Sequence, residues 1–169
     1  WFPGSQLNFA ENILLRRDNS VAIIARTETG LTRTLTFASL FNEVAGCAAA
    51  LKDLGVEAGD RVVGFIANVP EAVIAFLASA SIGAIWSSCS PDFGARAATD
   101  RLGQIEPKVL FASDCYYYGG KRFDCSQTIA ALNESLPTLV ATVIVPYTGN
   151  GAVGTKHITW TDFLQCDNE

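Results

Sequence analysis

The stretch "RVVGFIANVPEAVIAFLASASIGAIWSS", residues 61–88, decides the fold class. Its two ends are short runs rich in β-branched and apolar residues, which predicts strands over 61–66 and 84–88. Between them Pro70 is suited to a first helical turn, and the spacing predicts a helix over 70–81. A strand, a helix and a second strand in this order are typical of a βαβ unit with parallel strands.

The same alternation continues toward the C-terminus. We expect helices over 93–105 and 126–136, strands over 108–112 and 139–145, and a last short element in "ITWTDFL". Before the first βαβ unit, runs 21–26 and 31–36 flank Glu28-Thr29-Gly30 and predict a β-hairpin, and Thr36 is placed to cap a helix over 37–54. The predicted fold is therefore α/β, a mostly parallel sheet preceded by a hairpin, with an N-terminal arm over 1–20 and one α/β region over 21–169.

Composition narrows the classes of partner. The chain has 169 residues, 49% hydrophobic and 17% charged, with a net charge of −5. The charge, without a basic stripe, argues against nucleic acid and anionic membranes as partners, and the longest apolar run is too short to span a bilayer. So apolar a composition indicates either strands buried on both faces or a chain that packs against further protein.

Five cysteines, at 47, 89, 115, 125 and 166, show no C-x-x-C spacing, and the chain has one histidine. This pattern favours buried, reduced thiols in a cytoplasmic protein, with no metal site. Cys89 precedes a predicted helix and is a candidate nucleophile, although a buried structural cysteine is the commoner case.

Three loops follow predicted strands, and in parallel sheets ligands bind at that edge. They are residues 67–69, 87–93 and 113–122. The second offers hydroxyls and a helix N-terminus to an anion, or is a plain turn with Asp92 as a helix cap. The third, "SDCYYYGGKR", offers aromatic rings and two cations to an adenine and a phosphate, or is a solvated loop. We expect both to open on one edge of the sheet.

The segment "GNGAVGTK", residues 149–156, follows a predicted strand and resembles a phosphate-binding loop. A Walker loop requires lysine directly after the last glycine and a helix behind it, whereas Thr155 precedes Lys156 and β-branched residues follow. We interpret this segment as a surface connection.

A family resemblance runs through most of the chain. Residues 59–94, above all "SIGAIWSSCSPDFG", and residues 100–124, "DRLGQIEPKVLFASDCYYYGGKRFD", closely resemble the N-terminal region of acetoacetyl-CoA synthetases, within the acyl-adenylate-forming AMP-dependent ligases. The opening "WFPGSQLNFAENIL" is similar to the start of the same region. The resemblance implies a ligase that joins acetoacetate to CoA through an acyl-adenylate, using ATP and Mg²⁺ and releasing AMP and pyrophosphate.

By the same resemblance, the CoA nucleotide meets backbone at Ser90, Pro91, Asp92 and Phe93. Lys121 stands where the acetyl-CoA relatives place an arginine for the CoA phosphates. Tyr118 stands where they have another arginine, and Arg122 is a possible substitute for it.

No catalytic residue is expected in the chain. The family's phosphate loop, its ribose-holding aspartate and arginine, and its C-terminal lysine do not occur in this sequence, so we expect an N-terminal fragment, inactive alone, that packs against the downstream part of a ligase. The alternatives are a non-catalytic α/β module that binds CoA or a protein, and an unrelated flavodoxin-like domain of the same fold.

Overall fold

The computed structural model describes residues 2–30, 32–147 and 157–165. In chain order its elements are α1 (Phe9–Ile13), β1 (Val21–Arg26), β2 (Thr32–Thr36), α2 (Phe37–Asp53), β3 (Arg61–Phe65), α3 (Pro70–Ser81), β4 (Ile85–Cys89), α4 (Ala95–Leu102), β5 (Val109–Ser113), β6 (Cys115–Tyr118), β7 (Lys121–Asp124), α5 (Ser126–Ser135), β8 (Ala141–Val145), β9 (Ile158–Thr159) and α6 (Trp160–Phe163).

A five-stranded sheet of order β4-β3-β5-β8-β9 forms the centre, and each pair of neighbours in it is parallel. All five residues of β5 are buried, as expected of a middle strand covered by helices on both faces. The predicted α/β class, the parallel sheet and the preceding hairpin β1–β2 are confirmed.

Alternate residues of the central strands belong to two separate cores. Val62 and Phe111 lie in the core that includes the buried faces of α2 and α3. Val63 and Leu110 lie in the core under α4 and α5. Successive strand side chains point to opposite faces, so one short apolar run supplies both cores.

The N-terminal segment is docked on this body. The side-chain Nδ2 of Asn8 donates to the carbonyl of Ala80 at the end of α3, 2.9 Å away, and Ala10 in α1 is fully buried. The ring centroids of Phe9 and Phe76 are 5.5 Å apart. The division of the chain at residue 20 stays a prediction.

Three predictions of local structure are wrong. The helix predicted over 93–105 begins at Ala95, and a tighter 3-10 turn, Gly103–Ile105, follows Leu102. Gly94, not Asp92, is its N-cap residue, without a side-chain cap. The loop predicted over 113–122 is the hairpin β6–β7, because the tyrosines favour extended backbone and two glycines supply its turn.

The predicted helix over 70–81 is confirmed at both ends, and Thr36 caps α2 by accepting from the backbone N–H of Ser39. In the described part of the chain, no helix is both long and apolar enough to cross a membrane. The segment 149–156 interpreted as a surface connection lies outside the described residues.

Candidate functional site

Three strand ends meet at one cleft of about 260 Å³. Ala67 and Asn68 come after β3, Ser90 to Asp92 come after β4, and the β6–β7 hairpin comes after β5. The lining residues are Arg26, Glu28, Ala67, Asn68, Ser90, Pro91, Asp92, Tyr116, Tyr117, Tyr118 and Tyr147. The loops after β4 and β5 thus open on the same edge of the sheet, where parallel sheets bind ligands.

Hydrogen bonds between neighbouring strand ends shape the floor of the cleft. The buried hydroxyl of Ser113, at the end of β5, accepts from the backbone N–H of Ala67 at 2.9 Å. The N–H of Ile66 donates to the carbonyl of Cys89 at 3.2 Å, and the N–H of Phe93 closes a turn onto the carbonyl of Ser90. The backbone after β3 is therefore held to the ends of β4 and β5, and the loop after β4 is closed by its own turn.

The aromatic wall of the cleft comes from β6 and from the residue after β8. Tyr117 stacks on Tyr147, with ring centroids 5.6 Å apart, and Tyr116 stacks on Phe123 across the hairpin at 5.0 Å. Burial raises the pKa of Tyr147, and the negative charge of Glu28 raises it further. Tyr147 is therefore a neutral phenol at neutral pH.

The predicted site residues fall into two groups. Ser90, Pro91, Asp92 and Tyr118 line the cleft. Phe93, Lys121 and Arg122 are not among the lining residues.

Phe93 instead packs against the core under α4, where the guanidinium of Arg101 lies 4.6 Å from its ring centroid. Lys121 and Arg122 are exposed on β7, and Lys121 pairs with Tyr118 across the hairpin. Arg122 also lies 3.8 Å from the carboxylate of Asp124. The two cations stand on the outer strand of the hairpin.

Sequence reasoning missed Arg26, Glu28 and Tyr147. Tyr147 had a usable signal, since it follows a strand of the parallel sheet just as the three predicted loops do. Arg26 and Glu28 belong to the β1–β2 hairpin, which pairs with no strand of the central sheet, and nothing local in the sequence places them here.

The thiols are not activated. Cys89 is 6% exposed, and burial raises its pKa, which disfavours the nucleophilic thiolate. Burial likewise raises the pKa of Cys125 to about 12. The four cysteines in the described ranges are free and buried, and those ranges contain no group of side chains suited to a metal ion.

The sequence of the chain is similar to those of known enzymes. Residues 10–162 match the family model described as AMP-binding enzyme. The chain is 45% identical over 152 residues to an acetoacetyl-coenzyme A synthetase of Rhizobium meliloti (strain 1021), covering 90% of this chain and 23% of that protein. It is 44% identical to an acetoacetyl-CoA synthetase of Gallus gallus, covering 87% of this chain and 22% of that protein.

A solved structure of acetoacetyl-CoA synthetase from Streptomyces lividans superimposes with a TM-score of 0.91 at 44% identity, covering 100% of this chain and 26% of that one. The chain thus spans about a quarter of the length of the proteins it matches.

Proposed function

Because the chain belongs to the family of AMP-binding enzymes, we propose that it forms the CoA-facing part of an AMP-forming acetoacetate–CoA ligase. The reaction converts acetoacetate, ATP and CoA to acetoacetyl-CoA, AMP and pyrophosphate through an acyl-adenylate, with Mg²⁺ on the ATP phosphates. The observation that carries the proposal is the meeting of residues 90–92 and the β6–β7 hairpin at one cleft.

Charge divides the proposed CoA site into two regions. The cleft holds the carboxylates of Glu28 and Asp92 against one guanidinium, Arg26, so it repels polyphosphate. Lys121 and Arg122, outside it on β7, are the cations we assign to the CoA phosphates. The tyrosine faces suit a nucleobase, which stacks on aromatic rings.

The chain's own residues bind and orient in this proposal, and none is assigned a chemical step. Ser90, Pro91 and Asp92 present the rim beside the nucleotide. ATP and acetoacetate are assigned to parts of the ligase beyond this chain, and we propose that those parts cover the sheet edge at β4, where Ile85 is 53% exposed. The buried free thiols fit a reducing compartment, and we place the enzyme in the cytoplasm.

The test is a half-reaction analysis of the full-length protein that contains this chain. Lys121→Ala should raise the KM for CoA about tenfold, the scale of one hydrogen bond to a charged group. Acetoacetate-dependent exchange of pyrophosphate into ATP should not change, because that step precedes CoA. Lys52→Ala, at an exposed lysine in the last turn of α2, is the matched control.

Two results would count against the proposal. An unchanged KM for CoA in Lys121→Ala would mean that Lys121 does not contact the CoA phosphates. CoA binding by calorimetry in a protein without acetoacetate-dependent exchange would favour a non-catalytic CoA-binding module.

A further inference from the structure

The β6–β7 hairpin carries Tyr118 and Lys121 but is not part of the central sheet. It forms a separate two-stranded sheet, and all four residues of β7 are exposed. An isolated two-stranded hairpin is at best marginally stable in water. The position of its tip therefore depends on contacts made by the rest of the chain.

The base and middle of the hairpin are well attached. The N–H of Cys125 donates to the carbonyl of Asp114 at 3.0 Å, and the carboxylate of Asp114 accepts from the N–H of Tyr147 at 2.8 Å. The stack of Tyr117 on Tyr147 holds the middle of β6. These contacts end one residue before Tyr118.

The tip is held by a residue from another hairpin. Gly119 and Gly120 have φ values of +59° and +73°, which suits a tight turn of two residues between Tyr118 and Lys121. The carboxylate of Glu28, in the turn between β1 and β2, accepts a hydrogen bond from the N–H of Gly120 at 3.0 Å, across 92 residues of sequence. Glu28 also lines the cleft beside Tyr118.

We propose that Glu28 is a positioning residue for CoA: its carboxylate holds the Gly119–Gly120 turn, so that Tyr118 faces the cleft and Lys121 stands beside it. This inference rests on the proposed function. Glu28 itself does not bind CoA phosphate, since both are anionic. Its effect reaches the ligand through the hairpin, and the N-terminal hairpin β1–β2 thereby becomes part of the CoA site.

The experiment compares Glu28→Ala and Glu28→Gln in the full-length protein, with Glu134→Ala, an exposed glutamate on α5, as control. Amide hydrogen exchange over residues 115–124 reports the hairpin. The KM for CoA, kcat and acetoacetate-dependent pyrophosphate exchange report the ligase.

For Glu28→Ala we expect faster exchange at the Gly120 amide and a KM for CoA about two- to fivefold higher, the range for an exposed charged contact. Pyrophosphate exchange, kcat and the melting temperature should not change. Glu28→Gln keeps a carbonyl acceptor without the charge, so it should lie between Glu28→Ala and the unmodified protein.

Three outcomes overturn the inference. Unchanged hydrogen exchange in Glu28→Ala would mean that the carboxylate does not hold the turn. Faster exchange with an unchanged KM, while Lys121→Ala raises the KM, would leave the proposed function standing and remove the role of Glu28. If neither Glu28→Ala nor Lys121→Ala changes the KM for CoA, the proposed CoA site is wrong, and the role of Glu28 in it is wrong as well.

Discussion

Removal of a single hydroxyl, in Ser113→Ala, should destabilise the chain and loosen the floor of the cleft. Ser113 is fully buried at the end of β5, and its Oγ accepts from the N–H of Ala67, itself 7% exposed, at 2.9 Å. The substitution leaves that buried N–H without its acceptor. A buried donor stripped of its acceptor costs about 1–3 kcal/mol.

The assay is urea unfolding of this chain, followed by tryptophan fluorescence. Trp86 and Trp160 report the core, since their ring centroids lie 6.1 and 5.9 Å from that of Phe111. With a urea dependence of about 2 kcal/mol per M, a loss of about 2 kcal/mol lowers the midpoint by about 1 M. The melting temperature should fall by about 4–8 °C.

Ser79→Ala is the matched control. Ser79 is also fully buried, but its hydroxyl donates to the carbonyl of Ala75 one turn back in the same helix, 2.8 Å away. That carbonyl retains its helical backbone partner, and alanine favours helix, so the expected change is under about 0.5 kcal/mol. Equal losses of unfolding free energy in Ser113→Ala and Ser79→Ala would refute the reasoning. The loss would then come from removing a buried hydroxyl and not from leaving the N–H of Ala67 without an acceptor.

Two further substitutions test the packing, and one tests the pH dependence of stability. Gly64→Ala in β3 should cost about 1–3 kcal/mol of unfolding free energy, because a Cβ there would lie 2.9 Å from the Trp86 ring. Gly46→Ala within α2 should instead stabilise the chain by about 0.5–1 kcal/mol, since the nearest atom to a Cβ there would be Cδ2 of Leu164, 3.9 Å away. Urea unfolding measures both the expected loss and the expected gain. The ammonium of Lys108, 2.8 Å from Asp60, holds the pKa of that carboxyl below its ordinary 3.8. The contact between Lys108 and Asp60 therefore stabilises the folded chain above pH 3.8, and this stabilisation is lost as the pH falls through the lowered pKa. Lys108→Met should therefore flatten the acid side of a plot of unfolding free energy against pH, and an unchanged acid side would contradict this account.

Local pattern predicted most of the fold. The helix over 70–81 begins and ends where the sequence places it, because Pro70 marks its first turn and Gly83, with a φ of +77°, follows its C-cap residue Ile82. The helix after β4 starts later than predicted, because Gly94 takes the N-cap position. The hairpin at 115–124 was missed although Gly-Gly between aromatic residues is itself a hairpin signal.

The candidate site was predictable only on the side of the central sheet. Residues 67–69, 90–92 and 116–118 follow consecutive parallel strands, so topology alone brings their loops to one edge. Arg26 and Glu28 reach the cleft from a hairpin that has no strand partner in that sheet. No periodicity or spacing specifies where such a hairpin docks.

By itself, the sequence determines most of the strands and helices and the parallel α/β class of this protein, since those depend on the period of apolar residues and on turn chemistry within a few positions. Only the tertiary structure decides the strand order β4-β3-β5-β8-β9 and the 3.0 Å contact between Glu28 and Gly120. Both depend on which apolar faces pack together, and packing joins residues far apart in the chain.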